Sequence, residues 1–173
     1  MMKRNVLLVM LIAAVMVLAA CGGSDKKEDT TTKAPETTTK EAAEEGFYFQ
    51  KGDVKIVMNE PAKAVIEALG EYKSTYEAPS CAFDGTDIVY AYAGYEVLAY
   101  AVDGEEKISG VVLRDDTVET PEGICIGSDR EAVAKAYGEV TADAGSVTFT
   151  KGNCDLLIIF TDDKVSSIQY IAK

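Results

Sequence analysis

Two stretches of this chain repeat one another in register, and that repetition limits the folds open to it. Ile56-Val57-Met58 is followed by Ala64-Val65, Ala68 and Gly70-Glu71; 68 residues further on come Ile124-Cys125-Ile126, Ala132-Val133, Ala136 and Gly138-Glu139. No gap interrupts the match, so each copy should build the same elements in the same order. Each begins with a short apolar strand and continues as an amphipathic helix. In the first, Asn59 is placed to cap, Pro61 is tolerated in the opening turn, and Ala62, Val65, Ile66 and Leu69 recur at helical spacing. In the second, Ser128 and Glu131 have capping-box spacing, and Val133, Ala136 and Tyr137 form the apolar stripe. Gly70 and Gly138 stop the two helices.

Strand-forming runs bounded by turn residues then predict three strands per copy. They lie near Asp87–Tyr92, Tyr95–Val102 and Lys107–Leu113 in the first, and near Ser146–Thr150, Cys154–Thr161 and Lys164–Ile171 in the second. Ala93-Gly94 corresponds to Lys151-Gly152-Asn153 as one turn, and Asp103-Gly104 to Asp162-Asp163 as the next. Phe47–Gln50 and Val54–Met58 have the pattern of an additional hairpin, and Arg114 to Gly123 connects the copies. The expected fold is α+β. It consists of two tandem β-α-β-β-β repeats, about 53–113 and 122–172, each with one helix packed on a mainly antiparallel sheet.

The run IGSDREAVAKAYG, Ile126 to Gly138, resembles the repeat of the small BamE-type outer-membrane assembly lipoproteins, and the tandem arrangement is similar to that of β-lactamase inhibitor protein. The first copy departs from the pattern by having Asn59 where the glycine would fall. The resemblance implies an architecture and a sheet face able to grip a partner; it transfers no functional residue.

Ahead of the repeats lies a segment of different character. Lys3 and Arg4 precede an uninterrupted apolar run from Val6 to Ala20, which has the form of an export signal over residues 1–20. Its 15 residues fall short of the about 20 a comfortable membrane span needs. Leu18-Ala19-Ala20-Cys21 resembles the lipobox of bacterial lipoproteins. That resemblance implies cleavage between Ala20 and Cys21 and a thioether-linked diacylglycerol on Cys21, with an N-acyl chain as a further option. Two or more chains anchor stably where one is marginal. Gly22 stands where an aspartate would resemble an inner-membrane retention signal. Residues 22–46 hold Thr, Lys and Glu but no large apolar side chain, so after the lipidated cysteine, 21–46 reads as a disordered tether. Its reach would be about 25–30 Å.

Charge and inventory exclude several functions. The chain carries a net −12, and residues 47–173 hold 22 acidic against 11 basic side chains. Such a surface repels a phosphate backbone, so nucleic acid is not an expected partner. It also repels anionic headgroups, leaving membrane affinity to the acyl anchor. With no histidine, a Ser-His-Asp or Cys-His nucleophile and the usual zinc sets cannot form. Gly123 to Gly127 lacks the lysine of a phosphate loop, and Asp115, Asp116 and Glu119 lack the liganding period of a calcium loop. No enzyme activity, cofactor or metal is expected.

Cys81, Cys125 and Cys154 fall in the folded part. Export permits a disulfide, and Cys125 with Cys154 is the favoured pair because both lie in one copy. Cys81–Cys125, Cys81–Cys154 and three buried thiols are the alternatives. Tyr90, Tyr92, Tyr95 and Tyr100, within eleven residues on adjacent strands, are the one hint of a binding face. If one sheet face packs on the helices, the repeat alignment places Leu98, Tyr100, Leu157 and Ile159 on the other. Tyrosine suits an interface, and cross-strand packing is the plainer use for it. The expectation is an extracytoplasmic, lipid-anchored module that binds a protein through this face. An envelope scaffold and a small-ligand binder with a pocket between the copies are the alternatives.

Overall fold

The computed structural model describes residues 46–82 and 84–173. The expectations for the leader, the Ala20-Cys21 cleavage site, lipidated Cys21 and nearly all of the tether lie outside the described residues. The described residues open with a hairpin of β1 (Tyr48–Lys51) and β2 (Val54–Val57), followed by helix α1 (Ala62–Leu69). Strands β3 (Ser74–Pro79), β4 (Thr86–Ala91), β5 (Tyr95–Val102) and β6 (Glu105–Leu113) come next. Helix α2 (Arg130–Tyr137) then precedes β7 (Ser146–Lys151), β8 (Cys154–Thr161) and β9 (Lys164–Ala172).

The chain does not form two tandem β-α-β-β-β units. It is mostly β: one antiparallel seven-stranded sheet, ordered β3-β4-β5-β6-β9-β8-β7, with the two-stranded β1-β2 hairpin beside it. Two physical causes overturn the expected α+β arrangement. First, β6 and β9 pair with each other, Gly110 to Leu113 against Ile171 to Ile168. Each thereby satisfies backbone groups that separate sheets would have left as unpaired edges. Second, eight-residue helices are roughly 12 Å long, whereas seven strands extend roughly 29 Å across. One such helix cannot roof its half of the sheet. The remaining cover comes from Phe49, Ile56 and Met58 of the hairpin region and from Val118 and Ile124 of the connector, all buried in one core with Val97, Val111, Leu156 and Ile168.

Each half also departs from the expected element list. The first half has a fourth strand, β3, which the polar sequence STYEAP did not advertise. The second half lacks its opening strand. Ile124 donates its N–H to the Thr120 hydroxyl at 3.1 Å, and the Cys125 N–H goes to the Ser128 hydroxyl at 3.0 Å. These local bonds take up the backbone donors that a ladder would have used. In the first half, Ile56 instead faces Phe49 across the hairpin.

The helix starts were misplaced too. Asn59 does not cap α1: the helix begins after Pro61, while Asn59 sits at φ 68° and donates its N–H to the Ile108 carbonyl at 2.8 Å. Ser128 does not cap α2; Asp129 holds that position, with no side-chain cap bond. The helix stops fall as expected, with Gly70 at φ 78° and Gly138 at φ 120°. Asp103-Gly104 and Asp162-Asp163 all have positive φ, as two-residue turns of the hairpin type require.

Strand alternation divides the large sheet into two faces. The inner face carries Ile88, Val97, Ile108, Val111, Leu156, Ile158, Ile168 and Tyr170. Phe49 stacks obliquely on Tyr95 and Tyr170 (ring centroids 5.1 and 6.0 Å), and Tyr137 of α2 meets Phe149 of β7 at 5.3 Å. The hairpin and α2 are thus fixed to this side.

Candidate binding surface

The outer face carries the candidate site. Register places Leu98 of β5 between Val89 of β4 and Gly110 of β6, and Gly110 opposite Ile171 of β9. One strand pleat away, Glu96 neighbours Val112, Val112 faces Gln169, and Gln169 faces Leu157 of β8. Tyr100 lies between Asp87 and Lys107, and Ile159 between Ser146 and Ser167. All four residues expected on this face are therefore on it. Leu98 and Tyr100 on β5 do not meet Leu157 and Ile159 on β8, because β6 and β9 lie between them, a distance of roughly 14 Å. Ile171, 39% exposed, lies in the gap, and so does Val112, which is buried at 7% exposure.

Sequence reasoning missed Val89, Val112 and Ile171. Their signal was their place in the alternation of β4, β6 and β9, but only the β6–β9 pairing joins them to the others. Two bulges contribute as well. The register shifts between Leu98 and Ala99 and again between Ile159 and Phe160, leaving Ser109 and Ser166 unpaired. An extra residue at each point bends the sheet and increases its twist there. Gly110 matters for a different reason: Leu98 and the Tyr170 carbonyl approach the space a Cβ would fill.

Charge on this face is partly neutralised. Arg114 pairs with Glu96, and Asp155 accepts a hydrogen bond from the Thr150 hydroxyl at 2.6 Å with Lys173 at 4.0 Å.

The tyrosines divide between faces because neighbours on a strand alternate. Tyr100 is outward, whereas Tyr90 and Tyr95 are inward and Tyr92 stacks on Tyr95 at 5.0 Å. Burial pushes Tyr95 up to about 12 and raises Tyr90, Tyr92, Tyr137 and Tyr170, so these phenols stay protonated. Tyr137 donates to Glu122 at 2.6 Å and lies 2.6 Å from the Thr120 hydroxyl, fastening α2 to the connector.

Cys81, Cys125 and Cys154 are free thiols, so the structure holds no Cys125–Cys154 bridge. Burial pushes the Cys154 thiol up to about 11, and the Cys125 sulfur lies 3.5 Å from the Ser128 hydroxyl. Asp115 is held low by hydrogen bonds from the Thr117 hydroxyl and N–H. Among the described residues no cluster of three or more acids and cysteines converges as a metal site would.

No family profile and no curated protein matches this chain. A solved extracellular protein containing an SCP domain, from Bacillus anthracis str. Ames, shows a TM-score of 0.42 at 11% identity over 72% of this chain and 48% of that one. The chain thus spans about half that protein's length.

Proposed function

We propose that this chain is a lipid-anchored extracytoplasmic protein that captures a protein partner on the outer face of its seven-stranded sheet, with no catalysis of its own. The observation that carries the reading is the outward-facing set of apolar side chains Val89, Leu98, Leu157 and Ile159, each half-buried, with exposed Ile171, on an otherwise strongly acidic molecule. Such a set is stable in water only at a cost that a partner removes. Tyr100 at one end supplies a rigid amphipathic anchor. The leader ending at Ala20, directly before Cys21, supports the anchored location, and the polar tether supports a body held clear of the bilayer.

The test uses the full-length chain in detergent, compared with Leu98→Arg and Ile159→Arg variants in capture from envelope extract. Both positions face outward, so thermal unfolding should move little. Equal recovery of the captured partner by the variants and the parent would remove the sheet face from consideration. Mass spectrometry of the native amino terminus tests the anchor separately; an unmodified cysteine or an intact leader would refute it.

A further inference from the structure

On the inner side of the sheet, where β5 turns into β6, a cleft of about 530 Å³ opens against α1. That size is within the range of small-molecule sites. Its apolar walls are Ile66 of α1 and the rings of Tyr72 and Tyr90. Tyr72 meets Tyr90 edge-on, with ring centroids 5.3 Å apart and planes at 63°, and also meets Tyr92 at 6.4 Å and 83°. The two walls therefore hold each other in place without a ligand. The Tyr90 hydroxyl donates to Glu106 Oε2 at 2.9 Å, which fixes that carboxylate at the edge of the aromatic surface.

The charges around the opening select the ligand class. Glu67, Glu105 and Glu106 line it together with Lys63 and Lys107. Lys107 lies 4.0 Å from Glu105, leaving Glu67 and Glu106 against Lys63. The chain's net charge of −12 adds a field that concentrates cations and repels anions. Aromatic faces beside carboxylates recognise ammonium groups by cation–π attraction and direct ion pairing. A carboxylate or phosphate ligand would instead meet a rim with one more carboxylate than ammonium.

We propose that this cleft binds a small organic ammonium bearing an aryl or apolar body, with its charge at Glu106 and Glu67 and its body against Tyr72, Tyr90 and Ile66. Tyr90 and Glu106 point to the inner side, whereas Glu105 and Lys107 of the rim alternate to the outer side; the variants that test this cleft share no residue with those that test the outer face, so the two proposals stand or fall separately. Calorimetric titration of the full-length chain in detergent would use phenethylamine and, with the same aryl body, 3-phenylpropionate. Saturable binding of the amine is expected, with the carboxylate weaker by roughly tenfold or more. Tyr72→Ala and Glu106→Gln should each weaken the amine to a similar extent, while Lys63→Ala should leave it unchanged or tighter. Glutamine can still accept from Tyr90, and Tyr72 is 39% exposed, so neither substitution threatens the core. Absence of saturable amine binding, equal or tighter binding of the carboxylate, or undiminished amine affinity in either variant overturns the proposal.

Discussion

Replacing Gly110 with alanine tests the pairing that joins the two halves of the sheet. Gly110 stands opposite Ile171 at the β6–β9 junction and faces outward beneath Leu98. An added Cβ would lie 2.7 Å from the Tyr170 carbonyl oxygen and 3.4 Å from Leu98 Cδ1. Leu98 can rotate aside, but the Tyr170 carbonyl belongs to the neighbouring strand and cannot move without dragging β9. Overpacking of this kind costs about 1–3 kcal/mol, a fall in Tm of roughly 3–15 °C for a domain of this size. Gly145→Ala is the matched control. A Cβ there meets nothing within 4 Å and its backbone is not left-handed, so lost chain entropy in the unfolded state should leave it neutral or stabilised by about 0.4–1 kcal/mol. Both variants would be followed by denaturant unfolding of the full-length chain. A Gly110→Ala midpoint at or above that of Gly145→Ala would mean that β6 and β9 are not in register at Gly110.

Three further outcomes are expected. Because Tyr90, Tyr92, Tyr95, Tyr137 and Tyr170 have folded-state pKa values above the ordinary 10.0, their contribution is complete below about pH 10 and is lost as pH rises further. Tyrosinate absorbance should therefore show a delayed fraction that appears together with loss of circular dichroism; all nine tyrosines ionising in one step with the fold intact would contradict this. Arg130→Ala should destabilise by about 2–4 kcal/mol, because its guanidinium bonds Asp163 at 2.9 Å and the carbonyls of Thr141 and Ala144 at 3.1 and 2.9 Å, and lies 4.1 Å over Phe160. Rescue by lysine should be incomplete, since an ammonium cannot reproduce the planar fork; full rescue would show the charge alone to be sufficient. In alkylation mapped by mass spectrometry, exposed Cys81 should label first and Cys154 only on unfolding. Equal rates at the two sites would show that β8 opens readily.

The parts of the fold that were legible share a local cause. Tyr95–Val102 (YEVLAYAV) and Cys154–Thr161 (CDLLIIFT) are nearly continuous apolar runs closed by turn residues, which marks them as central strands, whereas their alternating burial is set by the fold. The Asp103-Gly104 and Asp162-Asp163 turns declare themselves by residues that tolerate positive φ. By contrast, β3 is a strand because β4 offers it an edge, and its own side chains are almost all exposed. The capping residues misled for a related reason: Asn59 and Ser128 were each drawn to tertiary or turn partners in place of a helix N–H.

The amino-acid order alone determined where most of the strands and both helix stops fall, the absence of histidine chemistry, and the acidity of the body. Those properties depend on neighbours within a few residues, or on composition. Only the tertiary structure decided that β6 and β9 join into one sheet, that Ile124–Ile126 is not a strand, and that Leu98 and Leu157 share a face with Val112 and Ile171 between them. It also decided that Tyr72, Tyr90 and Glu106 surround a cleft. Each of these depends on which backbone edge finds a hydrogen-bonding partner far along the chain, and the two edges of a strand look alike until that partner arrives.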